Sequence, residues 1–555
     1  MPLADRLHPD LAGSEVVFVE EASQRLEHEQ RGPRVRRYVC MVVDNVIRCD
    51  CCTHRLARYT DRNILCAPVS QLSMFKIRTF LPPMLAAVVL SAVGASPATA
   101  SHTQPTFFEA PRDLLEVTPA ARSKALAQLQ SLGVKALRVE LYWHSVAPAP
   151  NSTKRPNFDA TNPASYSWGA YDALLAEAAR LHWQVLLTVS SPVPKWATAG
   201  HNDKYLVTRP DDRQFEEFMT AVGKHYGSEV SLYAIWNEPD HPAFLRPQFN
   251  RNGTPASPRI YRGLFQAGYV GLQSAGVSNP KVLMGETAPF GYDKVNVRKE
   301  GSRALLHDVA PLAFLRETLC LNSKYRKSGT CGMLPAYGYA HHAYTVGSPS
   351  YRPPEADDVT IGVLSRLSSA LDKAAAAHAI PARIPIYLTE FGIQSRPNVT
   401  GVSLAKQAEY DAMSEKIAWS NPRVAAFSQY LLRDDPLGGA PGSSVHGGFI
   451  GFQTGLETVS GARKPLYFGF PVPLVVSKRG HSFSLWGLVR PSEGATKVKV
   501  LVQPKGSRSY RTLKVVQTSS SGYWTLRSSV QGSHWRVSWR SPGGTVYNGP
   551  PIGAN

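Results

Sequence analysis

Beyond residue 100 the chain has almost no cysteine. Of its seven, Cys40, Cys49, Cys51, Cys52 and Cys66 come earlier, and only Cys320 and Cys331 follow. The early cluster, with His54, has a C-x8-C-x-C-C spacing that fits no zinc pattern. The later pair, eleven residues apart in a chain read as exported, reads as one disulfide; two buried free thiols are the alternative. No Gly-rich phosphate turn follows the first apolar strand, which argues against an open nucleotide-binding sheet. Nor is any third ligand suitably spaced from His341 and His342, so neither metal nor cofactor is expected. The formal charge of +19 and pI near 9.6 come without a Lys/Arg cluster interleaved with aromatics in the central region. Nucleic acid is therefore not expected, and the basic surface points instead to an anionic cell surface or polysaccharide. A long apolar run is missing too: Leu81 to Val93 is short for a membrane span and is broken early by Pro82-Pro83, so no stable membrane insertion is expected.

What is present is an ordinary globular composition, 43% hydrophobic and 19% charged, over 555 residues, enough for two or three domains. Residues 1–73 are rich in Arg, His and Cys and show no clear strand or helix period. Residues 74–100 then carry a positive region (Lys76, Arg78), an apolar stretch and Ala98-Thr99-Ala100, the pattern of a secretory signal peptide. Such a segment belongs at the start of a chain. The expectation is therefore that translation begins at Met74, that 1–73 is an unstructured upstream extension, and that the product is secreted. A cytoplasmic domain with a membrane anchor is the alternative.

From residue 101 to about 470, apolar runs at 106–110, 135–142, 184–190, 231–237, 281–287, 337–344, 385–391 and 424–432 alternate with helical patterns. One helix opens with Thr118 as N-cap and Pro119 at its first position. Eight strands alternating with helices predict an α/β fold, a closed (β/α)8 TIM barrel. After Pro471-Val472-Pro473 the period becomes two, as in Val498, Val500, Val502 and Trp535, Val537, Trp539. That predicts a small all-β sandwich, immunoglobulin-like, over 471–555. Trp486, Trp524, Trp535 and Trp539 read as its core, with a sugar-binding platform as the alternative.

Two strands stand apart from the rest. SLYAIWNEPD, from Ser231 to Asp240, runs into Asn237-Glu238-Pro239, where Pro239 ends the ladder. Neighbours on a straight strand face opposite ways, so Asn237 and Glu238 reach one site only if the chain bends there. IPIYLTEFG delivers Glu390 at the end of a second strand. Two strand-end carboxylates are what glycoside hydrolysis with retention requires, one as acid/base and one as nucleophile, about 5 Å apart.

At these residues the chain resembles the clan A glycoside hydrolases, retaining enzymes on a (β/α)8 barrel, and is most similar to family 39, with families 5 and 42 behind. Ala234 departs from the family 5 signature, which expects a polar residue or Gly there. The resemblance implies that Glu238 is the acid/base and Glu390 the nucleophile, that Asn237 bonds the sugar 2-hydroxyl, and that the substrate is a carbohydrate. It places Arg138 against the nucleophile, an ion pair with Glu140 or another acid being the alternative. His342 and Tyr344 match its His-x-Tyr, and Tyr344 would hold Glu390. Trp196, in a Pro-rich loop, suits stacking on a sugar ring or else packs the loop; Trp143 lies at the end of the second strand. Glu286 is a third carboxylate near the site. At the eighth strand Gln429, Tyr430 and Leu431 stand where the clan often has a Trp. For Glu238 the reading expects a raised pKa from the negative Glu390 and burial. A silent carbohydrate-binding barrel and a transglycosylase are the rival readings.

Overall fold

The computed structural model describes residues 41–43, 46–48, 104–201, 203–437 and 451–555. The signal-like segment and most of the 1–73 stretch lie outside them. Within that stretch, expected to be unstructured, Met41–Val43 and Val46–Arg48 pair antiparallel, as a unit separate from the rest of the chain.

The main unit begins with a closed parallel barrel. Its strands are β1 (Thr106–Glu109), β2 (Ala136–Tyr142), β3 (Gln184–Ser190), β4 (Leu232–Ile235), β5 (Val282–Thr287), β6 (Gly338–His342), β7 (Ile386–Glu390) and β8 (Val424–Tyr430). Each pairs with the next, and β8 closes on β1. Strands buried on both faces read as unbroken apolar runs, which is why they are visible in the sequence. Helices fill the connections: α1 (Pro119–Ser131), α2 (Gly169–Arg180), α3 (Asp212–Tyr226), α4 (Ser257–Ser274), α5 (Pro311–Thr318), α6 (Leu364–Ala376) and α7 (Leu404–Trp419). Thr118 caps α1, its hydroxyl accepting from the Ala121 amide at 3.4 Å. Among the described residues no helix is long and apolar enough to cross a membrane.

Two antiparallel sheets follow. One is β9 (Leu474–Arg479), β10 (Ser482–Leu488) and β13 (Tyr523–Ser528). The other is β11 (Lys497–Gln503), β12 (Arg511–Gln517), β14 (His534–Arg540) and β15 (Val546–Asn548), in the order β12-β11-β14-β15. Between them lie Val498, Val500, Val502, Trp524, Trp535 and Trp539. The tryptophans are core, and Trp486 packs with Trp419 of α7 and Tyr523. Arg490 fastens the sandwich to the barrel: it donates twice to the buried Glu415 of α7, at 2.9 and 3.0 Å, and to the Phe470 carbonyl at 3.0 Å.

Cys320 and Cys331, just after α5, are disulfide-bonded. Closing so short a loop contributes about 2–3 kcal/mol. Alkylating the native, unreduced protein should label neither residue, and recovery of either as an alkylated peptide would contradict the pairing.

Candidate active site

The carboxyl ends of the barrel strands, where barrel enzymes hold their working groups, converge on one buried cluster. Its centre is Arg138 of β2, whose side chain is fully buried. An isolated buried guanidinium is prohibitively costly, so its partners define the site. Arg138 donates to both oxygens of Glu286 (Nε–Oε1 3.2 Å, Nη2–Oε2 2.6 Å), to Glu390 Oε2 at 3.2 Å and to Asn237 Oδ1 at 2.6 Å. It also pairs with Glu109. Glu140 is not its hydrogen-bonding partner; it accepts from the Tyr142 hydroxyl at 2.8 Å.

Backbone conformation brings these groups inward. Trp236 and Glu238 both have left-handed φ, 71° and 33°. Such values are uncommon outside glycine and cluster at functional sites. They supply the bend that Asn237 and Glu238 need to share a site. The Asn237 amide is held by the Ser190 hydroxyl at 3.1 Å and the Glu238 amide by the Glu286 carbonyl at 3.0 Å. Because a guanidinium only donates, it fixes the Asn237 carbonyl toward itself and leaves the amide NH2 pointing away. Strand β5 bends as well: its register with β6 shifts between Gly285 and Thr287, and Glu286 has φ 51°. Gly285 has φ 112°, and a Cβ there would sit 2.5 Å from the Ala340 carbonyl oxygen, so only glycine fits beside the bulge.

Glu390, at the end of β7, accepts from the Tyr344 hydroxyl at 2.6 Å. Tyr344 is stacked between Phe391 and Phe452. His342 Nδ1 is 2.9 Å from Glu238 Oε1 and 3.7 Å from Glu390 Oε2. The two carboxyl oxygens are therefore no farther apart than the sum of those distances. His341 faces the other way, with Nδ1 near the Thr287 hydroxyl and Nε2 near the Val359 carbonyl. Burial lowers its pKa to about 4, so it stays neutral.

One Arg and one His cannot neutralise this many acids. Burial pushes Glu109, Glu140 and Glu390 up to about 7, against the pull of Arg138. Glu238 goes the other way: burial would raise it, but the hydrogen bond and charge of His342 prevail and lower it. The expectation of a raised Glu238 pKa is thereby corrected. His342 answers in kind, burial being outweighed by Glu390 and Glu238, which raise its pKa. Both shifts favour the proton of this pair on His342.

Other expectations change with the packing. Trp196 and Trp143 are buried and meet edge to face at 5.8 Å, with Trp143 stacked on Phe218 at 5.2 Å. Their rings pack the β2 and β3 loops and are not open to a sugar. Gly392, two residues after Glu390, leaves no room for a side chain, because a Cβ would lie 2.5 Å from the Thr454 Cβ. Glu286, the third carboxylate, pairs with Arg138. At the end of β8, Phe452 stands edge-on to Tyr430 at 5.0 Å. Glu109 and Phe452 are absent from the sequence reading. An acid closing the apolar β1 run was a visible signal for the first; nothing marked the second.

No family model and no curated protein sequence matches the chain. Solved structures that resemble it include a family 39 glycoside hydrolase from the gut symbiont Bacteroides cellulosilyticus WH2, at 14% identity over 77% of this chain and 80% of that one, TM-score 0.45. A glucosidase from Croceicoccus marinus is 10% identical over 78% and 94%, TM-score 0.45. Bacteroides uniformis β-glucuronidase 2 is 10% identical over 81% of this chain but 46% of its own, TM-score 0.40. At such identities and TM-scores the likeness carries no argument, and function has to come from the site.

Proposed function

We propose that this chain is a secreted, retaining glycosidase that hydrolyses O-glycosidic bonds of a β-linked oligo- or polysaccharide by double displacement. Glu390 is the nucleophile and Glu238 the acid/base. The observation that carries this is the approach of both carboxyl groups to one ring nitrogen of His342. Even collinear, those atoms would only just reach the separation of about 6.5–9.5 Å used for inversion, and a bend at the nitrogen brings them closer, toward the range of retention. The signal-like segment 74–100 supports export.

In this reading Arg138 and Tyr344 stabilise Glu390 as the anion that attacks the anomeric carbon, forming a glycosyl-enzyme. The leaving oxygen needs a proton, which Glu238 must hold. Substrate filling the site expels water, and loss of water disfavours a His⁺–carboxylate pair relative to the neutral one. The proton then passes across the 2.9 Å contact from His342 to Glu238. After departure of the leaving group, Glu238 takes a proton from water, which attacks the glycosyl-enzyme from the same face. The Asn237 amide NH2, aimed by Arg138, is placed to donate to a sugar hydroxyl.

Screening the full chain against aryl β-glycosides and plant and microbial polysaccharides, beside Glu390→Gln, tests the proposal. At least one β-linked substrate should be cleaved by the wild type and spared by the variant. Binding without cleavage across the set would favour the silent carbohydrate-binding reading. Products longer than the substrate would favour a transglycosylase.

Tyr344→Phe gives a pH test. The hydroxyl bonds the ionised form of Glu390, so its loss raises the Glu390 pKa. The acidic limb of kcat/KM, set near 7 by burial of Glu390, should move to higher pH, with kcat reduced about tenfold. An unmoved limb would remove Tyr344 from any role in keeping Glu390 anionic.

A further inference from the structure

The C-terminal sandwich carries a charge asymmetry that the barrel chemistry does not use. Residues 471–555 contain twelve Lys and Arg and a single acid, Glu493. Val498, Val500, Trp535, Val537 and Trp539 point into the core, so strand alternation sends Lys497 and Lys499 of β11 and Arg536 and Arg540 of β14 to the opposite face. The register sets Lys499 across from Ser538 and Leu501 across from Arg536, so all four cations share one surface. Strands β11, β12, β14 and β15 have no Asp or Glu. Among the described residues none of the four forms an ion pair, whereas Arg155, Arg316 and Arg423 of the barrel are each paired with an acid. Arg536 and Arg540 are instead positioned by the Gly549 and Gly544 carbonyls at 3.0 and 2.9 Å. Clustered like charges oppose folding, so a face of this kind is explained by a complement that neutralises it.

We infer that the outer face of the β12-β11-β14-β15 sheet binds an acidic polysaccharide, a chain with repeated carboxylates such as a polyuronate. Charges about 7 Å apart along a strand and about 4.8 Å between strands form a flat grid of donors suited to an extended polyanion. The Tyr510 ring has Arg536 over one face, 5.4 Å from the guanidinium carbon, so that face is taken and offers no stacking platform to a base. The tryptophans that would anchor a bilayer interface, Trp535 and Trp539, are on the inner face, and the apolar side chains exposed beside the cations include no aromatic, being Val515 opposite Lys499 and Val546 opposite Arg540. That the polyanion is a carbohydrate rests on the glycosidase proposal; that a polyanion binds rests on the sheet alone.

The test uses the full chain, with polygalacturonate as probe, a neutral β-glucan, duplex DNA and phosphatidylserine vesicles as competitors of stated chemistry, and the variant Lys497→Glu/Lys499→Glu/Arg540→Glu. Lys497→Gln/Lys499→Gln serves where reversal disturbs folding. At about 0.05 M salt the wild type should bind polygalacturonate but not the neutral glucan, and binding should fade toward about 0.5 M as charges are screened. Charge reversal should weaken it at least tenfold and the Gln pair severalfold, with hydrolysis of a small aryl glycoside unchanged. Absence of binding, equal binding by the variants, or tighter binding to DNA or vesicles would overturn the inference. A chain that binds as described but hydrolyses nothing supports this surface while removing the glycosidase proposal. A chain that hydrolyses but does not bind removes this surface alone.

Discussion

Glu390→Ala is expected to abolish turnover of every substrate, by about 10⁴-fold or more, because no glycosyl-enzyme can form. Azide in the emptied space should restore part of the activity and give an inverted, α-configured glycosyl azide, since it attacks from the face that Glu390 occupied. Glu238→Ala should behave differently. Substrates with good leaving groups, such as dinitrophenyl glycosides, need little protonation and should still form the intermediate, while poor leaving groups lose about 10²–10⁴-fold. The intermediate then persists, because water has lost its general base, and azide should release it as a β-glycosyl azide. Proton NMR of the two azide products distinguishes them. Identical anomers from both variants would mean the roles are misassigned.

Arg138→Met should be the most damaging change to stability in the barrel, costing about 3–5 kcal/mol. It would leave Glu109, Glu286 and Glu390 buried without their common cation and Asn237 Oδ1 without its donor. Denaturant titration measures the loss. Arg138→Lys should recover only part of it, because an ammonium cannot hold both Glu286 oxygens and reach Glu390 from one plane. In whatever fraction stays folded, the Glu109 and Glu390 pKa values rise further without Arg138, so the acidic limb of kcat/KM should move upward. A loss under about 1 kcal/mol would show that the cluster is held by something other than this guanidinium.

The barrel was legible in the sequence because strands buried on both faces leave unbroken apolar runs, and Thr118-Pro119 marks a helix start without tertiary help. The paired carboxylates were legible for a related reason: Pro239 stops one strand at Glu238, and LTEFG ends another at Glu390. The rest depended on contacts distant in sequence. Glu238 and His342 are 104 residues apart, and nothing local to either reveals the hydrogen bond that lowers one pKa and raises the other. Trp196 looked available because a tryptophan in a Pro-rich loop has the same sequence signature open or covered; Trp143 and Phe158 cover it. Glu286 was recognised as an acid near the site, but its inward turn comes from a bulge that depends on Gly285 tolerating φ 112° beside Ala340. Gly392 makes room for Thr454, a residue from another segment, which nothing local to LTEFG shows.

The most direct test of the central claim is to trap the glycosyl-enzyme. Once a cleaved aryl glycoside is known, its 2-deoxy-2-fluoro dinitrophenyl counterpart should inactivate the protein while releasing one equivalent of dinitrophenolate, the fluorine slowing both steps and the good leaving group restoring the speed of formation alone. Intact mass should rise by one fluoroglycosyl unit, and peptide mapping should place it on Glu390, with no label on Glu390→Gln. A label on Glu109, Glu238 or Glu286, or steady turnover with no covalent adduct, would contradict the account.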